Sequence, residues 1–403
     1  MNKNKAIETA SIKPKLAVLT SRFPYPLEKG DKLRAYHQMK YLSVHYDVYL
    51  FSIGDAEKSK EDFEKLSEFV KEIHFFRLDE FSRLVSVALG VFSELPLQVM
   101  YFHNKKIQEK IKEILMEIEP DHVYCQLARM ALYAVKLPYP KTLDYMDAFG
   151  VGMDRRANVA KGILSGFYKH EAERMKSFEN RLLKTFENHV IISRQDADCI
   201  APRVEPKKIH VIPNGIDETF FEEISVEKKY TLVFVGNMGY LPNIEAAEFL
   251  VKEILPLLPE TVNLLIAGAR PHKRVVSLKN DRVCIGGWYT DIRQAYLSAK
   301  IFVAPIWSGT GQQNKILEAM ALGLPCVTTT AVNNAILADE GVNILLADDV
   351  STFIKRINQL IFDENAIFNM GQKAKKFVKQ NYSWGKSGEF LHGLFSPALK
   401  NDI

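Results

Sequence analysis

Cysteine is scarce in this chain, with four residues among 403. The four cysteines lie far apart and form no CxxC pair; they are Cys125, Cys199, Cys284 and Cys326. This spacing predicts neither a zinc site nor a disulfide framework. We therefore expect reduced, mostly buried thiols in a cytosolic protein.

Long hydrophobic runs are also missing. The longest apolar stretch, from Leu84 to Phe92, falls well short of the ~18 residues that a membrane-spanning helix needs. The N-terminal segment, MNKNKAIETASIKPK, is polar and does not fit a secretory signal. We expect a soluble cytoplasmic protein that attaches, at most, to the inner face of the plasma membrane as a peripheral protein.

The chain also lacks a strong net charge. The chain carries 53 basic and 49 acidic side chains, for a net charge of +4, which argues against a nucleic acid as its partner. The GxSxG, HExxH and Walker A motifs do not occur in the sequence, so serine hydrolase, zinc protease and P-loop chemistry have no support.

The chain does contain short apolar runs that alternate with longer amphipathic stretches, the pattern of βαβ units around a parallel sheet. The pattern restarts after residues 208–217, and a length of 403 residues is long for a single core. We therefore predict an α/β protein with two doubly wound domains, joined by a linker at 205–217. The predicted strands cover residues 15–21, 47–53, 72–78, 122–126, 141–147, 189–193, 230–236, 262–268, 283–287, 300–306, 325–329 and 343–347.

The loop after strand 300–306 reads WSGTGQQNK and has the features of an anion site. Its glycines, Gly309 and Gly311, allow the backbone to approach a ligand closely, and a helix predicted to start near Gln312 would point free N–H groups at that ligand. Lys315 adds a full positive charge, and Gln313 and Asn314, like Gln312, add neutral donors.

Glu318 follows Lys315 on the same helical face. An acid is unsuited to binding phosphate but can accept hydrogen bonds from a sugar diol, so the pattern favours a nucleotide with its diphosphate on the donors and its ribose on Glu318. The alternative is that the glycines only form a turn and that Glu318 is a surface acid. Small and apolar neighbours in LEAMALG indicate a buried helix, where an unpartnered acid is rare.

In the first half, strand 15–21 runs into RFPYPLEKGDKLRAYHQM, another loop before a helix. Gly30 can bring backbone N–H groups against a ligand, and Asp31 is a candidate N-cap. Arg34 and His37 lie three residues apart on one helical face and are candidate catalytic residues.

Strand 141–147 delivers Asp144 and Asp147 near its end. Asp147 either orients a hydroxyl nucleophile or stabilises positive charge on a reacting sugar, or it caps the next helix. The DAD sequence at 196–198 resembles a metal-binding DxD motif, but Ser193 and Asp196 form an S-x-x-D capping pattern, so we expect no metal there.

Several segments together resemble family 4 glycosyltransferases of the GT-B fold. They are VIPNGID (211–217), FVGNMGYLPNIEAAEFL (234–250), LLIAGARP (264–271), VCIGGWYTDIRQAY (283–296) and QNKILEAMALGLPCV (313–327). The segment 21–42 is similar to the bacterial exopolysaccharide sugar transferases whose first loop reads PxPxxKGDxxR. The resemblance is most specific in the second half and weakest at about residues 51–186.

This resemblance implies two Rossmann-like domains that face each other across a cleft. Residues 1–207 would bind the acceptor and residues 208–383 a nucleotide sugar, and a helix in 384–403 would cross back to the first domain. Transfer would retain the anomeric configuration. Together, the loop patterns and the resemblance predict the following donor-binding residues: Gly30, Gly236, Asn237, Arg270, Trp288, Tyr289, Gly309, Thr310, Gly311, Gln312, Gln313, Asn314, Lys315 and Glu318.

The chain departs from the family pattern at three positions. The first of the family's two glutamates is replaced by Thr310, and the Arg and Lys that commonly hold the diphosphate correspond to Asn237 and Asn243. Lys315, loop N–H groups and Arg270 remain to bind the diphosphate.

We therefore expect a retaining, metal-independent glycosyltransferase without a cofactor. It would move a sugar from a nucleoside diphosphate to a glycan or lipid-linked acceptor in surface or exopolysaccharide synthesis. Two alternatives remain open: a nucleotide-sugar epimerase of GT-B fold, and a catalytically inactive nucleotide-binding partner.

Overall fold

The computed structural model describes residues 13–54, 57–200, 209–307 and 311–396. These residues form two compact units. Unit 1 contains residues up to Ile191, Ala197–Val211 and the chain from Gly388 onward, whereas unit 2 contains Ile192–Asp196 and Ile212–Ser387. The predicted boundary at 207/208 lies outside the described residues.

Unit 1 is built on a sheet of seven parallel strands in the order β3-β2-β1-β4-β5-β6-β7. In its centre Val18 lies opposite Leu50 on one side and Tyr124 on the other. Strand side chains are buried on both faces, as expected for a parallel sheet covered by helices. The strands are β1 (Lys15–Thr20), β2 (Asp47–Gly54), β3 (Glu72–Arg77), β4 (His122–Gln126), β5 (Lys141–Asp144), β6 (Asn188–Ile191) and β7 (Ile209–Val211).

Unit 2 holds a second parallel sheet of six strands in the order β10-β9-β8-β11-β12-β13. Val233 lies opposite Leu265 and Phe302 in its centre. Its strands are β8 (Tyr230–Val235), β9 (Leu264–Ala267), β10 (Val283–Gly287), β11 (Ala299–Ala304), β12 (Cys326–Thr328) and β13 (Leu345–Leu346).

Helices connect the strands of both sheets. In chain order they are α1 (Gly30–Leu42), α2 (Lys60–Ser67), α3 (Glu80–Val91), α4 (Leu97–Phe102), α5 (Lys105–Ile118), α6 (Ala131–Ala134), α7 (Phe149–Val159), α8 (Ile163–Leu182), α9 (Arg194–Ile200), α10 (Leu241–Phe249), α11 (Lys273–Val276), α12 (Ile292–Leu297), α13 (Asn314–Ala321), α14 (Thr330–Asn333), α15 (Val350–Ile361), α16 (Glu364–Asn381) and α17 (Trp384–Phe395). Among the described residues, no helix is both long and apolar enough to cross a membrane.

When the strands of each sheet are numbered from its first strand in the sequence, both sheets begin with the order 3-2-1-4. Successive strands are therefore added on one side of strand 1 and then, from strand 4, on its other side. Ligands of such sheets bind outside the carboxyl ends of the strands at that change of side, which is between β8 and β11 in unit 2. The predicted fold class, two doubly wound α/β domains, is confirmed.

One detail differs from the sequence analysis. Residues 209–211, assigned to the linker, form β7 at the edge of the unit 1 sheet, where His210 pairs with Val190. Helix α17 starts at Trp384 as predicted, and its residues from Gly388 belong to unit 1. There the ring of His392 stacks on His45 at a centroid distance of 4.2 Å.

Candidate functional site

Glycine residues follow two neighbouring strands at the carboxyl edge of the unit 2 sheet. Gly236 and Gly268 follow β8 and β9, and the Gly268 N–H donates to the carbonyl of Gly287 at 2.7 Å. Gly268 has φ = 135°, and a Cβ added there would lie 1.8 Å from the Gly236 carbonyl oxygen. Only glycine fits this position, and the resulting surface lets a ligand lie close to the main chain.

Lys315 lies in the first turn of α13, beside this edge. Its Nζ donates to Asn243 Oδ1 at 2.5 Å and lies 5.7 Å from the centre of the Phe234 ring. Removal from water lowers the pKa of Lys315 to about 8, and the negative charge of Glu318 opposes that shift. Lys315 is therefore a cation whose charge the protein stabilises only in part, which favours an anionic ligand.

Glu318 lies one turn further along α13. Its Oε2 accepts a hydrogen bond from the hydroxyl of the fully buried Tyr296 at 2.8 Å. Burial raises the pKa of Glu318, whereas the Tyr296 hydrogen bond and the Lys315 charge lower it. Tyr296 thus fixes one carboxylate oxygen. Within the described part of the chain Oε1 has no hydrogen-bond partner, which leaves an acceptor for a ligand hydroxyl.

The loop before α13 contributes differently from what the sequence indicates. Gln312 accepts from the Asn214 backbone N–H at 2.9 Å and donates to its carbonyl at 3.0 Å. Its amide therefore holds the PNG turn (213–215) in place and is already occupied. Gly309 and Thr310 lie outside the described residues.

The start of α13 is open to a ligand in two respects. Gln313 is the N-cap and makes no side-chain cap hydrogen bond, so the first N–H groups of the helix are not capped from this position. Asn314 Oδ1 is buried without a hydrogen-bond partner in the described chain. Gly311 reaches this turn with φ = 74°, a conformation that favours glycine.

Asn237 and Asn243, where the family pattern has charged residues, form a polar turn. Asn237 Oδ1 accepts from the Gly239 N–H at 3.0 Å, and Asn243 Nδ2 donates to the Asn237 carbonyl at 2.9 Å. Asn243 thereby has its Oδ1 directed at Lys315. One cation remains in this cluster, and two amides position it.

The other predicted donor residues of unit 2 lie on the loops after β9 and β10. Arg270 is exposed and has φ = 54°. Trp288 is 75% exposed, whereas Tyr289 is half-buried and packs against the core. Arg270 and Trp288 are therefore accessible to a ligand at the sheet edge.

In unit 1 Arg34, a predicted catalytic residue, lies in the interior of the domain. The side chain is fully buried, and its Nε donates to Asp144 Oδ2 at 2.6 Å. The hydroxyl of Tyr124 donates to the same carboxylate oxygen. Arg34 thus belongs to a buried ion pair that ties α1 to β5, and it does not present its charge on an open helical face.

The expectation that Asp31 is the N-cap of α1 is wrong. Helix α1 begins at Gly30 with Lys29 as its N-cap. Asp31 lies in the first turn, and its carboxylate accepts from Arg22 and from Arg129, the latter at 3.1 Å. The acid is therefore an ion-pair partner in the interior of unit 1.

His37 and Asp147 are half-buried. The His37 ring packs edge-on against Tyr36 with centroids 5.3 Å apart. Asp147 lies outside β5, with its N–H donating to the Tyr145 carbonyl at 2.8 Å. The N-cap of α7 is Ala148, so Asp147 does not cap that helix.

The DAD sequence is used for capping. Ser193 Oγ donates to Asp196 Oδ2 at 2.5 Å, and the Asp196 N–H donates to Ser193 Oγ at 3.2 Å. The carboxylate at the first position of the motif is therefore occupied by the start of α9, as the S-x-x-D spacing predicts.

Sequence reasoning missed three parts of this site. Tyr296 reaches Glu318 from α12, a contact that arises from packing between distant segments and has no local signal. Asn243 was recognised only as a lost charge, and the role of Gln312 in holding Asn214 was not anticipated. The amide side chains of Asn243 and Gln312 and the nearby PNG turn are sequence signals that could have indicated hydrogen bonds within the site.

Comparison with known proteins is most specific for unit 2, where residues 229–363 match the family model described as Glycosyl transferases group 1. One curated relative is a UDP-Gal:alpha-D-GlcNAc-diphosphoundecaprenol alpha-1,3-galactosyltransferase of Escherichia coli, 25% identical over 224 residues, or 49% of this chain and 56% of the relative. Another is an uncharacterized glycosyltransferase of Methanocaldococcus jannaschii, 27% identical over 253 residues, or 58% of this chain and 63% of the relative. The matched regions span less than two thirds of both relatives.

Among solved structures, the chain resembles HepE of Anabaena in complex with UDP and glucose. The TM-score is 0.66 at 14% sequence identity, covering 95% of this chain and 100% of that one. The chain therefore resembles GT-B glycosyltransferases in its fold, and in its sequence over residues 229–363. The family match at 229–363 includes Lys315, Glu318, Asn243 and Tyr296, so the cluster described above lies in the matched domain.

The proximity of Lys315 and Glu318 predicts coupled titration. Glu318→Gln removes the negative charge that favours protonated Lys315, so we expect the Lys315 pKa to fall below its value of about 8. The measurement is an NMR titration of the lysine Nζ resonances. Glu364→Gln, which removes an exposed acid elsewhere in unit 2, should leave Lys315 unchanged. A wild-type Lys315 titrating near the ordinary lysine value of ~10.4 would contradict this description of its environment.

Proposed function

We propose that the protein is a retaining glycosyltransferase that uses a nucleoside diphosphate sugar as donor. The observation that carries the proposal is the Lys315 and Glu318 pair, one helical turn apart at the start of α13 and beside the glycine edge of the sheet. A cation beside the N-terminus of a helix suits a diphosphate. A carboxylate with one oxygen already fixed suits the hydroxyls of a ribose.

The relatives support a UDP sugar as the first donor to test. The Escherichia coli relative is named as a galactosyltransferase that uses UDP-Gal, and HepE was solved with UDP and glucose. The proposed acceptor is a glycan or lipid-linked glycan in surface polysaccharide synthesis, at the inner face of the plasma membrane.

The chemistry we propose is mainly electrostatic. As the bond between the anomeric carbon and the diphosphate oxygen breaks, negative charge accumulates on the leaving diphosphate, and Lys315 and the α13 N–H groups stabilise that charge. Removing one such preorganised donor commonly costs about 3 kcal/mol in the barrier. The leaving phosphate accepts the proton of the attacking hydroxyl on the same face of the sugar, which retains the configuration.

The nucleotide assignment predicts distinct losses of affinity for two variants. Glu318→Ala should weaken binding of uridine and UDP alike, by roughly tenfold to a hundredfold, because it removes a charge-assisted hydrogen bond of about 1.5–3 kcal/mol. Lys315→Ala should weaken UDP far more than uridine, since its proposed partner is phosphate. Calorimetry with uridine, UMP and UDP measures both effects.

Two further variants calibrate this experiment. Glu318→Gln should lose less affinity than Glu318→Ala, because one amide oxygen still accepts. Lys300→Ala removes an exposed unit 2 lysine that pairs with Glu364 at 2.5 Å, and it should change nothing. Equal losses for Lys315→Ala with all three ligands would show that the loop binds something other than the phosphates.

Asp147 is the residue we propose for the reacting centre on the acceptor side. Asp147→Asn removes a charge and keeps the shape, so we expect turnover to fall much more than donor affinity. Steady-state kinetics with calorimetry of UDP separates the two. Asp154→Asn, which removes the partner of Lys176 on the following helix, is the matched control. Unchanged turnover in a folded Asp147→Asn protein would exclude Asp147 from the reaction.

Transfer should need no divalent cation. Asp196, the first acid of the DAD sequence, is engaged by Ser193, and the proposed charge on the diphosphate is met by Lys315 and backbone donors. We therefore expect equal rates of sugar transfer with EDTA and with added magnesium or manganese. Activity that EDTA abolishes and either metal restores would refute this part of the proposal.

A further inference from the structure

A basic cavity lies at the carboxyl edge of the unit 1 sheet. It has a volume of about 190 Å³ and lies between the loop after β1, the end of β2 and the start of α1. Of the described residues that line it, none is acidic and five are basic: Arg22, Lys29, Lys32, Lys58 and Arg83. A concave site lined by one sign of charge concentrates ligands of the opposite sign.

Three of these cations have no ion-pair partner among the described residues. Lys29, Lys32 and Lys58 make no salt bridge or side-chain hydrogen bond with the part of the chain that is described. Lys32 is only 9% exposed, and burial together with the neighbouring Lys58 lowers its pKa, which Glu28 opposes. Gathering like charges in a partly buried cavity costs stability, and an anion would offset that cost.

Glu28 and Asp31 are the acids that act on Lys32, and Asp31 already has ion-pair partners. The Asp31 carboxylate accepts from both Arg22 and Arg129, so two guanidinium groups share its single negative charge. The cavity therefore keeps an excess of positive charge after every described ion pair is counted. Phosphate groups satisfy such clusters well, because each oxygen accepts several charge-assisted hydrogen bonds.

A second, apolar cavity adjoins the first. It has a volume of about 350 Å³ and is lined by Glu80, Arg83, Leu84, Val87 and Tyr101. Arg83 and Tyr101 line both cavities. The Arg83 guanidinium lies 5.0 Å from the centre of the Tyr101 ring, and its Nη1 donates to the Tyr101 hydroxyl at 3.2 Å.

The apolar cavity opens onto an exposed apolar face of α3. Phe81 is 77% exposed and Leu84 69% exposed, and the face continues along the helix through Val85 and Leu89 to Phe92. Such a run on a soluble domain indicates an apolar ligand or surface. Its continuity with the basic cavity limits the occupant to a molecule that is anionic at one point and apolar beside it.

We propose that these two cavities bind the phosphate or diphosphate of a lipid-linked acceptor together with the first part of its lipid chain. The proposal rests on the proposed function, since it names the class of acceptor for that reaction. The lysines hold the phosphate group, Arg83 lies at the junction, and Leu84 and Val87 contact the hydrocarbon chain.

Binding of farnesyl diphosphate, inorganic diphosphate and farnesol tests the proposal. We expect farnesyl diphosphate to bind at least tenfold more tightly than either of the other two, because only it fills both cavities. The double variant Lys32→Ala, Lys58→Ala should lose at least tenfold in affinity for farnesyl diphosphate. Its control, Lys106→Ala with Lys112→Ala, removes two exposed lysines of α5 and should bind as the wild type does.

A separate variant tests the apolar cavity. Leu84→Glu should remove the advantage of farnesyl diphosphate over inorganic diphosphate and leave the inorganic ligand unaffected. Leu257→Glu changes a leucine of unit 2 that is 61% exposed and should have no effect. Equal wild-type affinities for farnesyl and inorganic diphosphate would overturn the lipid assignment, and unchanged binding in the double lysine variant would overturn the site.

Lys315→Ala separates this proposal from the proposed function. It should abolish tight UDP binding and leave farnesyl diphosphate binding intact. Farnesyl diphosphate binding without UDP binding would reject the donor assignment and keep the acceptor site. Loss of farnesyl diphosphate in Lys315→Ala would assign that ligand to α13 and overturn the acceptor site.

Discussion

The candidate site of unit 2 depends on the placement of one lysine and one glutamate, a helical turn apart on α13, where water has limited access. Burial lowers the pKa of Lys315 and raises that of Glu318, so each charge is held at a cost. Asn243 and Tyr296 reduce that cost by one hydrogen bond each. We propose that a ligand with both phosphate and hydroxyl groups offsets the remaining electrostatic cost.

The departures from the family pattern have a physical consequence in this arrangement. With asparagines at 237 and 243, the diphosphate would meet one charged side chain of α13, backbone donors and the accessible Arg270. Asn243 directs its oxygen at Lys315, and its amide nitrogen is held by the Asn237 carbonyl. The two amides thus position a single cation, so the affinity for a diphosphate should depend strongly on Lys315.

The fold was predictable because it follows from local patterns. Buried strands such as β1 and β8 are continuous apolar runs, predicted at 15–21 and 230–236 and observed at Lys15–Thr20 and Tyr230–Val235. The glycines and Lys315 also identified the loop before α13. Long-range pairing was not predictable: the Arg34 and Asp144 ion pair joins residues 110 positions apart, and Tyr296 approaches Glu318 from a separate helix. The local sequence around an arginine does not show whether its side chain is exposed or buried. That depends on how the topology brings distant segments together.

The most direct test of the account is a crystal structure of the protein with UDP bound. We predict ribose hydroxyls within hydrogen-bond distance of Glu318 and the diphosphate in contact with Lys315 Nζ and the first N–H groups of α13, with the Glu318 to Tyr296 hydrogen bond retained. UDP bound away from the start of α13, with Lys315 still donating only to Asn243, would contradict the central claim.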